Sequence, residues 1–404
     1  MERSLAAAAL AALLSGCGAG ASLAPVVSLG SGAAHGVTNA GTLGPVLTSA
    51  FGGEIFGWDI AQNGTDGLLT ETLLKPSGAV VNGIETFDET TGRITKVVRK
   101  SERPNANVEP VADAIAGNDV GIIDVEHVSF GKGVVRHDHF DLMKPVSKNR
   151  ISGQSVPSQA RGMVPSLVTN NQASASQVMT VLYAHRGLDQ VGLYTYNTAD
   201  NTWGKRIDFP KRDLFTALAP IYAAVDATTN EAVIGYLGRP RYNPHEPPTF
   251  EVLDASTGKH LRTFTGVGYG FVNGMAIDPA TDMMCTTTQG DMDVEFYHLA
   301  TGKGKAVTIP VYFFNGGALT NGAAVAADPV HHLFLVAQRN STFSPQGGST
   351  VIVYDERGKL VEYINGFNFL NLFSVVVPRL AVNPAARVGY ANGPNPYNLQ
   401  EFSY

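Results

Sequence analysis

The chain is short of cysteine and of charge. Two cysteines, Cys17 and Cys285, stand in 404 residues, too few for a disulfide framework. Cys285 follows Met283-Met284 in strand-like text and reads as a small buried apolar residue. Charged residues make up 16%, and the balance is acidic at −6. That excludes the basic surplus with which proteins neutralise nucleic-acid phosphates, so no nucleic-acid partner is expected. Past residue 20 no apolar run is long enough to cross a bilayer, so the body is expected to be soluble. Gly-x-Ser-x-Gly, a phosphate loop and Cys-x-x-Cys are all missing, which removes the commonest local signatures of hydrolases, nucleotide binders and thiol redox sites.

Turn formers are plentiful, with 44 glycines and 22 prolines. This mix suits many short strands broken by turns, in place of helices rich in Lys, Glu and Leu. A length of 404 residues fits one closed β architecture as well as several smaller domains.

Residues 1–16 have the layout of a signal peptide: a short charged start (Glu2, Arg3), an apolar stretch from Leu5 to Leu14, and small residues before Cys17. Leu14-Ser15-Gly16-Cys17 resembles the lipobox of bacterial lipoproteins at all four positions. The resemblance implies cleavage before Cys17 and acylation of Cys17 on its sulfur and its new amine. Two or three acyl chains hold a protein to a membrane stably where one does not. It also implies a place in the cell envelope; Gly18 in the second position implies the outer membrane where a cell has two. Residues 17–50 are small and without sustained periodicity, the composition of a flexible tether. Two stretches in it, Ala24–Leu29 and Pro45–Ser49, read as candidate strands.

Residues 51–404 carry an internal repeat. Ala223–Thr228, Gly274–Pro279 and Ala323–Pro329 align. Each is followed by an apolar strand, a loop, a second apolar strand and an Asp/Thr/Gly/Lys turn such as Asp254–Lys259. Asp and Gly sit where tight turns need a side-chain acceptor or a positive φ. The anchors Asp226, Asp278 and Asp328 are continued by Asn383, and Trp58-Asp59 reads as the first of the series. Degenerate units around Val120–Lys144 and Val178–Lys205 fill the interval. The spacing averages about 54 residues with four strands per unit, the signature of propeller blades. The expectation is therefore an all-β chain folded as a seven-bladed β-propeller, with six blades as the alternative. The last unit has only three strands, so an N-terminal strand is expected to close the ring, because a missing strand would expose a sheet edge.

The hydrophobic-Asp-Pro turn followed by Asp-x-x-Thr-Gly-Lys resembles the YVTN/NHL class of secreted propellers, with a more distant similarity to YncE-like and gluconolactonase-like propellers. The resemblance implies architecture and says little of activity, since the fold hosts enzymes, sensors and scaffolds.

In a propeller the loops leading into each innermost strand share a face with those joining the second and third strands. In this chain the lead-in loops interleave aromatics with Asn: Tyr269–Asn273, Tyr312–Asn315 and Phe367–Phe373. The second set carries Arg, Gln and Asn, as in Arg239–His245, Gln289–Asp291 and Gln338–Asn340. Loops at one end of a rigid scaffold are where binding concentrates. The candidate binding residues are Arg239, Arg241, Tyr242, Phe271, Asn273, Phe314, Asn315, Asn321 and Arg339. Rings beside amides suit a glycan, peptide or protein ligand, and the arginines suit a carboxylate or phosphate. The bland alternative is that the rings pack between blades and the Asn residues form turns.

Asn273-Gly274 and Asn321-Gly322 resemble the strand starts at which gluconolactonase-like propellers hold a divalent cation. Ca²⁺ wants six or more oxygens, carboxylates among them, and Ile221-Tyr222 and Pro378-Arg379 supply none. Neither a catalytic metal nor a cofactor is expected, and these Asn residues read as turn formers. On a strand His137 and His139 share a face, but Phe140-Asp141 reads as an outer turn away from the channel. His331-His332 reads as part of a turn. The favoured reading is an exported, lipid-anchored binding or scaffold protein. The alternatives are a metal-dependent lactonase-like or lyase-like enzyme at the channel mouth, separable by metal analysis, and a structural assembly subunit.

Overall fold

The computed structural model describes residues 41–50, 52–60, 66–77, 80–103, 107–116, 119–128, 135–144, 150–155, 163–169, 178–185, 190–197, 202–203, 207–208, 222–226, 228–237, 247–255, 257–268, 271–289, 293–309, 322–338, 349–367, 380–393 and 397–404, with backbone alone for residues 98–222. Leu14–Cys17, which resemble a lipobox, and the candidate strand Ala24–Leu29 lie outside them.

The described elements are all strands. They form antiparallel sheets that follow one another along the chain. The first holds β2 (Glu54–Ile60), β3 (Asp66–Leu74), β4 (Val80–Asp88) and β5 (Arg93–Arg103); the second holds β6 (Asn107–Ala116), β7 (Asp119–Val128), β8 (Val135–Lys144) and β9 (Arg150–Ser155). The third is β10 (Met163–Thr169), β11 (Val178–His185) and β12 (Gln190–Asn197), with the short β13 (Thr202–Trp203) and β14 (Ile207–Asp208) both pairing along β12. The fourth runs β15 (Tyr222–Asp226), β16 (Glu231–Leu237), β17 (Pro248–Asp254) and β18 (His260–Thr265). The fifth runs β19 (Phe271–Asp278), β20 (Met283–Gln289), β21 (Asp293–His298) and β22 (Lys303–Thr308). The sixth runs β23 (Gly322–Asp328), β24 (Leu333–Gln338), β25 (Ser349–Asp355) and β26 (Leu360–Phe367). The seventh joins the two ends of the described chain: β27 (Leu380–Asn383), β28 (Val388–Asn392) and β29 (Asn398–Ser403) are completed by β1 (Thr42–Thr48). Thr42 lies opposite Ser403 and Thr48 opposite Asn398. Of the two candidate strands before the repeat, the later one is thus paired, and it begins at Thr42.

The core lies between sheets. Four apolar clusters each draw on two successive sheets: the fourth with the fifth, the fifth with the sixth, the sixth with the seventh, and the seventh with the first. Aromatic rings bridge the same seams, with Phe250 against Tyr297, Phe296 against Phe334, and Phe87 against Tyr390. A strand flanked by neighbours and covered on both faces has no polar side, and β24 is accordingly buried at every position. The outermost β22 (Lys-Gly-Lys-Ala-Val-Thr) is exposed except at Gly304 and Val307, which are half-buried. At the free edge of the seventh sheet β1 breaks register between Leu43 and Val46, where Gly44-Pro45 blunts the edge.

The turns repeat one chemistry. Asp226, Asp278, Asp328 and Asn383 end their strands, and each accepts one or two backbone N–H groups of the turn that follows. The fourth residue beyond each anchor (Asn230, Asp282, His332, Arg387) has φ between 52° and 58°. A side chain there costs about 1 kcal/mol relative to glycine, and each is put to use. Asp282 accepts from Ala300 N–H, His332 Nδ1 meets Asp278 Oδ2 at 2.9 Å in the preceding sheet, and Arg387 Nε donates to the Tyr404 carbonyl at 2.6 Å. His331-His332 is a turn, as expected, but one that ties sheets together.

Two details of the sequence reading are corrected. Asp59 does not head a turn: it sits inside β2 opposite Leu68, and its Oδ1 takes the neighbouring Ile60 N–H. Phe140-Asp141 is not an outer turn but lies within β8, opposite Ile123 and Ile122, because β8 runs on to Lys144.

Candidate functional face: loops held by buried carboxylates

The turns joining first to second and third to fourth strands fall at one end of the sheets, and the lead-in loops and second-to-third loops at the other. Near the loop end the inner strands share an irregularity. The pairing shifts by one residue between Ile55 and Gly57, Pro110 and Ala112, Val272 and Gly274, and Gly322 and Ala324. Bulges of this kind bend a strand and re-aim side chains next to sites. Gly274 follows one of them. A Cβ there would stand 2.9 Å from Val325 N and 3.1 Å from Ala324 backbone atoms, so only glycine lets the inner strands of the fifth and sixth sheets approach so closely.

Across from three of these bulges the second strand buries a polar side chain: Glu71, Thr288 and Gln338. On the third strand a glutamate recurs three residues before the turn, as Glu85, Glu251 and Glu295, each almost fully buried. Burying a carboxylate is costly unless donors surround it. In the first sheet the donors come from the lead-in loop, and in the fifth from side chains of the second and third strands. Ser49 Oγ and Gly53 N–H donate to Glu71 and Ala50 N–H donates to Glu85, which fixes residues 49–53 over the first sheet. Burial and the carboxyl of Glu85 beside it raise the Glu71 pKa to about 7. In the fifth sheet Glu295 accepts from Thr286 Oγ1 at 2.7 Å, Thr288 Oγ1 at 2.9 Å and Tyr297 Oη at 3.0 Å. Tyr297 Oη in turn accepts Val267 N–H at 2.9 Å, which pins the loop leading into β19. The same buried carboxylate pushes up the pKa of the Tyr297 hydroxyl and the Cys285 thiol, with burial the larger cause in both. Cys285 is indeed a buried core residue. Closed to solvent, these carboxyls position loops and do not meet a substrate directly.

Of the candidate binding residues, Phe271 and Asn273 fall in described backbone. Both belong to β19, not to the loop before it, because the strand starts at Phe271 opposite Gln289. Asn273 is the extra residue of the bulge, which corrects its reading as a turn former. Arg239, Arg241, Tyr242, Phe314, Asn315, Asn321 and Arg339 lie outside the described residues, as does Cys17. Phe367, placed by sequence in a loop of exposed rings, closes β26 and is buried edge-on against Phe402. Gln338 likewise ends β24 in the interior. Among the described residues no three His, Cys, Asp or Glu side chains are grouped to hold a metal ion. The buried glutamates went unnoticed in the sequence, although a signal was present: Ile84-Glu85-Thr86-Phe87-Asp88, Phe250-Glu251-Val252-Leu253-Asp254 and Val294-Glu295-Phe296-Tyr297-His298 place an acid among apolar residues at the same distance from each turn.

Comparison with solved structures identifies the architecture. The RRP9 WD40 repeats match 89% of this chain and 96% of their own at 12% identity, with a TM-score of 0.56. The fold is a β-propeller. The Cps50 (Swd1) propeller domain of Myceliophteria thermophila matches 90% of this chain and 99% of its own at 10% identity and a TM-score of 0.54. Raptor of Chaetomium thermophilum matches 91% of this chain at 9% identity and a TM-score of 0.53, and the match covers 29% of that longer chain. At such identities the likeness concerns the fold alone. No protein-family profile and no curated sequence matches the chain.

Proposed function

We propose that this protein is an exported, lipid-anchored binding or scaffold protein of the cell envelope. Its propeller is a ring of seven blades, with β1 completing the seventh, and its loop face receives a protein, peptide or glycan partner. The observation that carries this reading is the buried polar layer under the loops. Glu71 with Glu85, and Glu295 with Tyr297, fix the backbone of two lead-in loops against the blades, and pre-organised loops on a rigid scaffold are what recognition requires. The seven-blade count is supported by the succession of inner strands β2, β6, β10, β15, β19, β23 and β27, each beside the next, with β27 beside β2. The anchor is supported by Leu14-Ser15-Gly16-Cys17.

The test combines two measurements. Changing Cys17→Ser is expected to abolish labelling by a fatty-acid analogue, and persisting acylation would remove the anchor from the proposal. The acylated protein, screened on glycan and peptide arrays, is expected to find a ligand whose binding falls at least about tenfold in Arg241→Ala or Phe314→Ala without a change in melting temperature. Equal binding by both variants would move the site off the loop face.

A further inference from the structure

The link between β1 and β2, residues 49–53, joins the strand that completes the seventh sheet to the first strand of the first sheet. Ser49 and Gly53 are buried, while Ala50 and Gly52 are exposed, so this short link has an inner and an outer side. Its inner side rests on Glu71 of β3 and Glu85 of β4. Gly52 has a φ of 67°, and nothing stands within 4 Å of where its Cβ would be. With Gly53 beside it, the link has a pair of glycines on which to bend.

The bonds that hold the link inward end on carboxyls. Ser49 Oγ and Gly53 N–H donate to Glu71 Oε2, the latter at 3.0 Å, and Ala50 N–H donates to Glu85 Oε2 at 3.1 Å. Toward the seventh sheet Ser49 N–H donates to the Tyr397 carbonyl at 3.2 Å, next to the last rung of β1, Thr48 opposite Asn398. Gly52 N–H closes the link on itself at Ser49 Oγ, 3.0 Å away. Releasing the two carboxyl anchors would therefore leave the link tied at one end only.

Glu71 and Glu85 are both closed to solvent, and their carboxyls are hydrogen-bonded to each other. Two carboxyls in contact away from water cannot both ionise without a large cost. The charged residues of the surrounding elements are Glu54 on β2, Lys75 just past β3, Lys96, Arg99 and Lys100 on β5, and Glu109 and Asp113 on β6, which lies along β2 to β4. β1 carries no charged residue, and Arg387 and Glu401 of the seventh sheet are engaged at its turn end. Among the described groups, the charge that acts on Glu71 is that of Glu85. Burial is the larger cause holding its pKa up, and the donors Ser49 and Gly53 pull it down.

We propose that Glu71 and Glu85 form a pH-operated latch on residues 49–53: with Glu71 protonated against Glu85 the link is held over the first sheet, and toward neutrality it lifts, admits water to the carboxyls and loosens the end of β1. The lifted form leaves Glu71 in water, where a glutamate ionises in its ordinary range. The closed form keeps the proton. Whichever form binds the proton more tightly is favoured in acid, so closure is strongest in acid and weakens as pH rises. The window runs from the ordinary value of 4.5 to the closed-form value of about 7, and above that the opening equilibrium levels off. The device goes beyond the binding reading and does not depend on what the loop face binds.

The test is amide hydrogen exchange of the whole protein between pH 5 and pH 8, corrected for the intrinsic pH dependence of exchange. Protection of the Ala50 and Gly53 amides is expected to fall on the order of tens of fold from pH 5 to pH 8, most of it by about pH 7. The Ser49 amide is expected to follow. Gly92 N–H, bonded to the Asp88 carbonyl at the other end of the same sheet, is expected to stay level. Glu71→Gln, neutral at every pH, is expected to keep Ala50 and Gly53 level as well. Level protection of Ala50 and Gly53 in the unaltered protein, an equal fall at Gly92, or a fall that persists in Glu71→Gln would overturn the proposal. Should Glu71→Gln not fold, Glu85→Gln takes its place. With the neighbouring charge gone, the fall is expected to shrink and to end at lower pH, and an unmoved fall overturns the latch.

Discussion

The lead-in loops and the third-to-fourth turns, at opposite ends of the propeller, are built on different strategies. At the third-to-fourth turns, order is local: Asp88 takes N–H and O–H groups from Thr90 and Thr91, two and three residues away, and Asp254 and Asp355 likewise accept N–H groups of their own turns. At the loop end, order is remote: Glu71 holds a loop 18 to 22 residues upstream, and Val267 is pinned by Tyr297, 30 residues on. The third-to-fourth turns are exposed and modular, so losing one cap there leaves water as a replacement partner. The glutamates beneath the loops are buried, so losing one acceptor there strands several donors where water does not reach. The propeller thus buries polar groups at both ends: under the loops they hold lead-in segments, and at the turn end Asp278, Asp328 and Asn383 join one blade to the next.

The sharpest way to break this contrast is at Glu295. Glu295→Ala leaves the hydroxyls of Thr286, Thr288 and Tyr297 without their acceptor, and a loss of about 3–5 kcal/mol is expected. Equilibrium urea unfolding measures it, and protease sensitivity near Val267 should rise in parallel. A loss below about 1 kcal/mol would mean that the layer does not hold the loop.

A smaller effect, resolved by pH, is expected at Glu71. Its folded pKa, about 7, lies above the ordinary glutamate value of 4.5. The folded chain therefore keeps a proton that the unfolded chain releases, and the associated stability is complete below about pH 4.5 and is lost as pH rises through about 7. Glu71→Gln, an amide fixed in the neutral state, is expected to flatten this decline. Urea midpoints at pH 5 and pH 8 should differ in the unaltered chain and converge in the variant.

The smallest effect belongs to the turn face. Asp88→Ala should cost only about 1 kcal/mol, because Thr90 and Thr91 remain open to water. The hydroxyls and N–H groups of Thr90 and Thr91 lower the Asp88 pKa. Its contribution is therefore present above the ordinary aspartate range and is lost as pH falls through the folded value. A thermal melt at pH 7 and a second at strongly acid pH should show the variant and the unaltered chain converging in acid.

The sequence itself made the repeat legible: the Asp anchors, the Thr-Gly-Lys turns and the short last unit are local patterns, and local patterns survive in one dimension. Gly92, Gly258, Gly302 and Gly358 adopt the positive φ that their turns demand. The all-β architecture followed from that alone. It was also legible that the seventh unit needed a strand from elsewhere, though not that the strand begins at Thr42 in place of the more regularly alternating Ala24–Leu29. Register against β29 is chosen by long-range packing of residues such as Leu47 against Trp58 and Tyr390, and alternation alone carries no such information.

What only the tertiary structure decided is which polar residues are inside. Glu85, Glu251 and Glu295 read as ordinary charged residues, and Phe367 and Gln338 read as loop residues with rings and amides to offer a ligand. Burial depends on the neighbouring blade, and that blade is 40 or more residues distant in the chain. The bulge at Asn273 and the cross-blade partners of His332 and Tyr404 were hidden for the same reason. The repeat encodes each blade, but the seams between blades are sums of two distant segments, and those seams carry both the core and the polar layer beneath the loops.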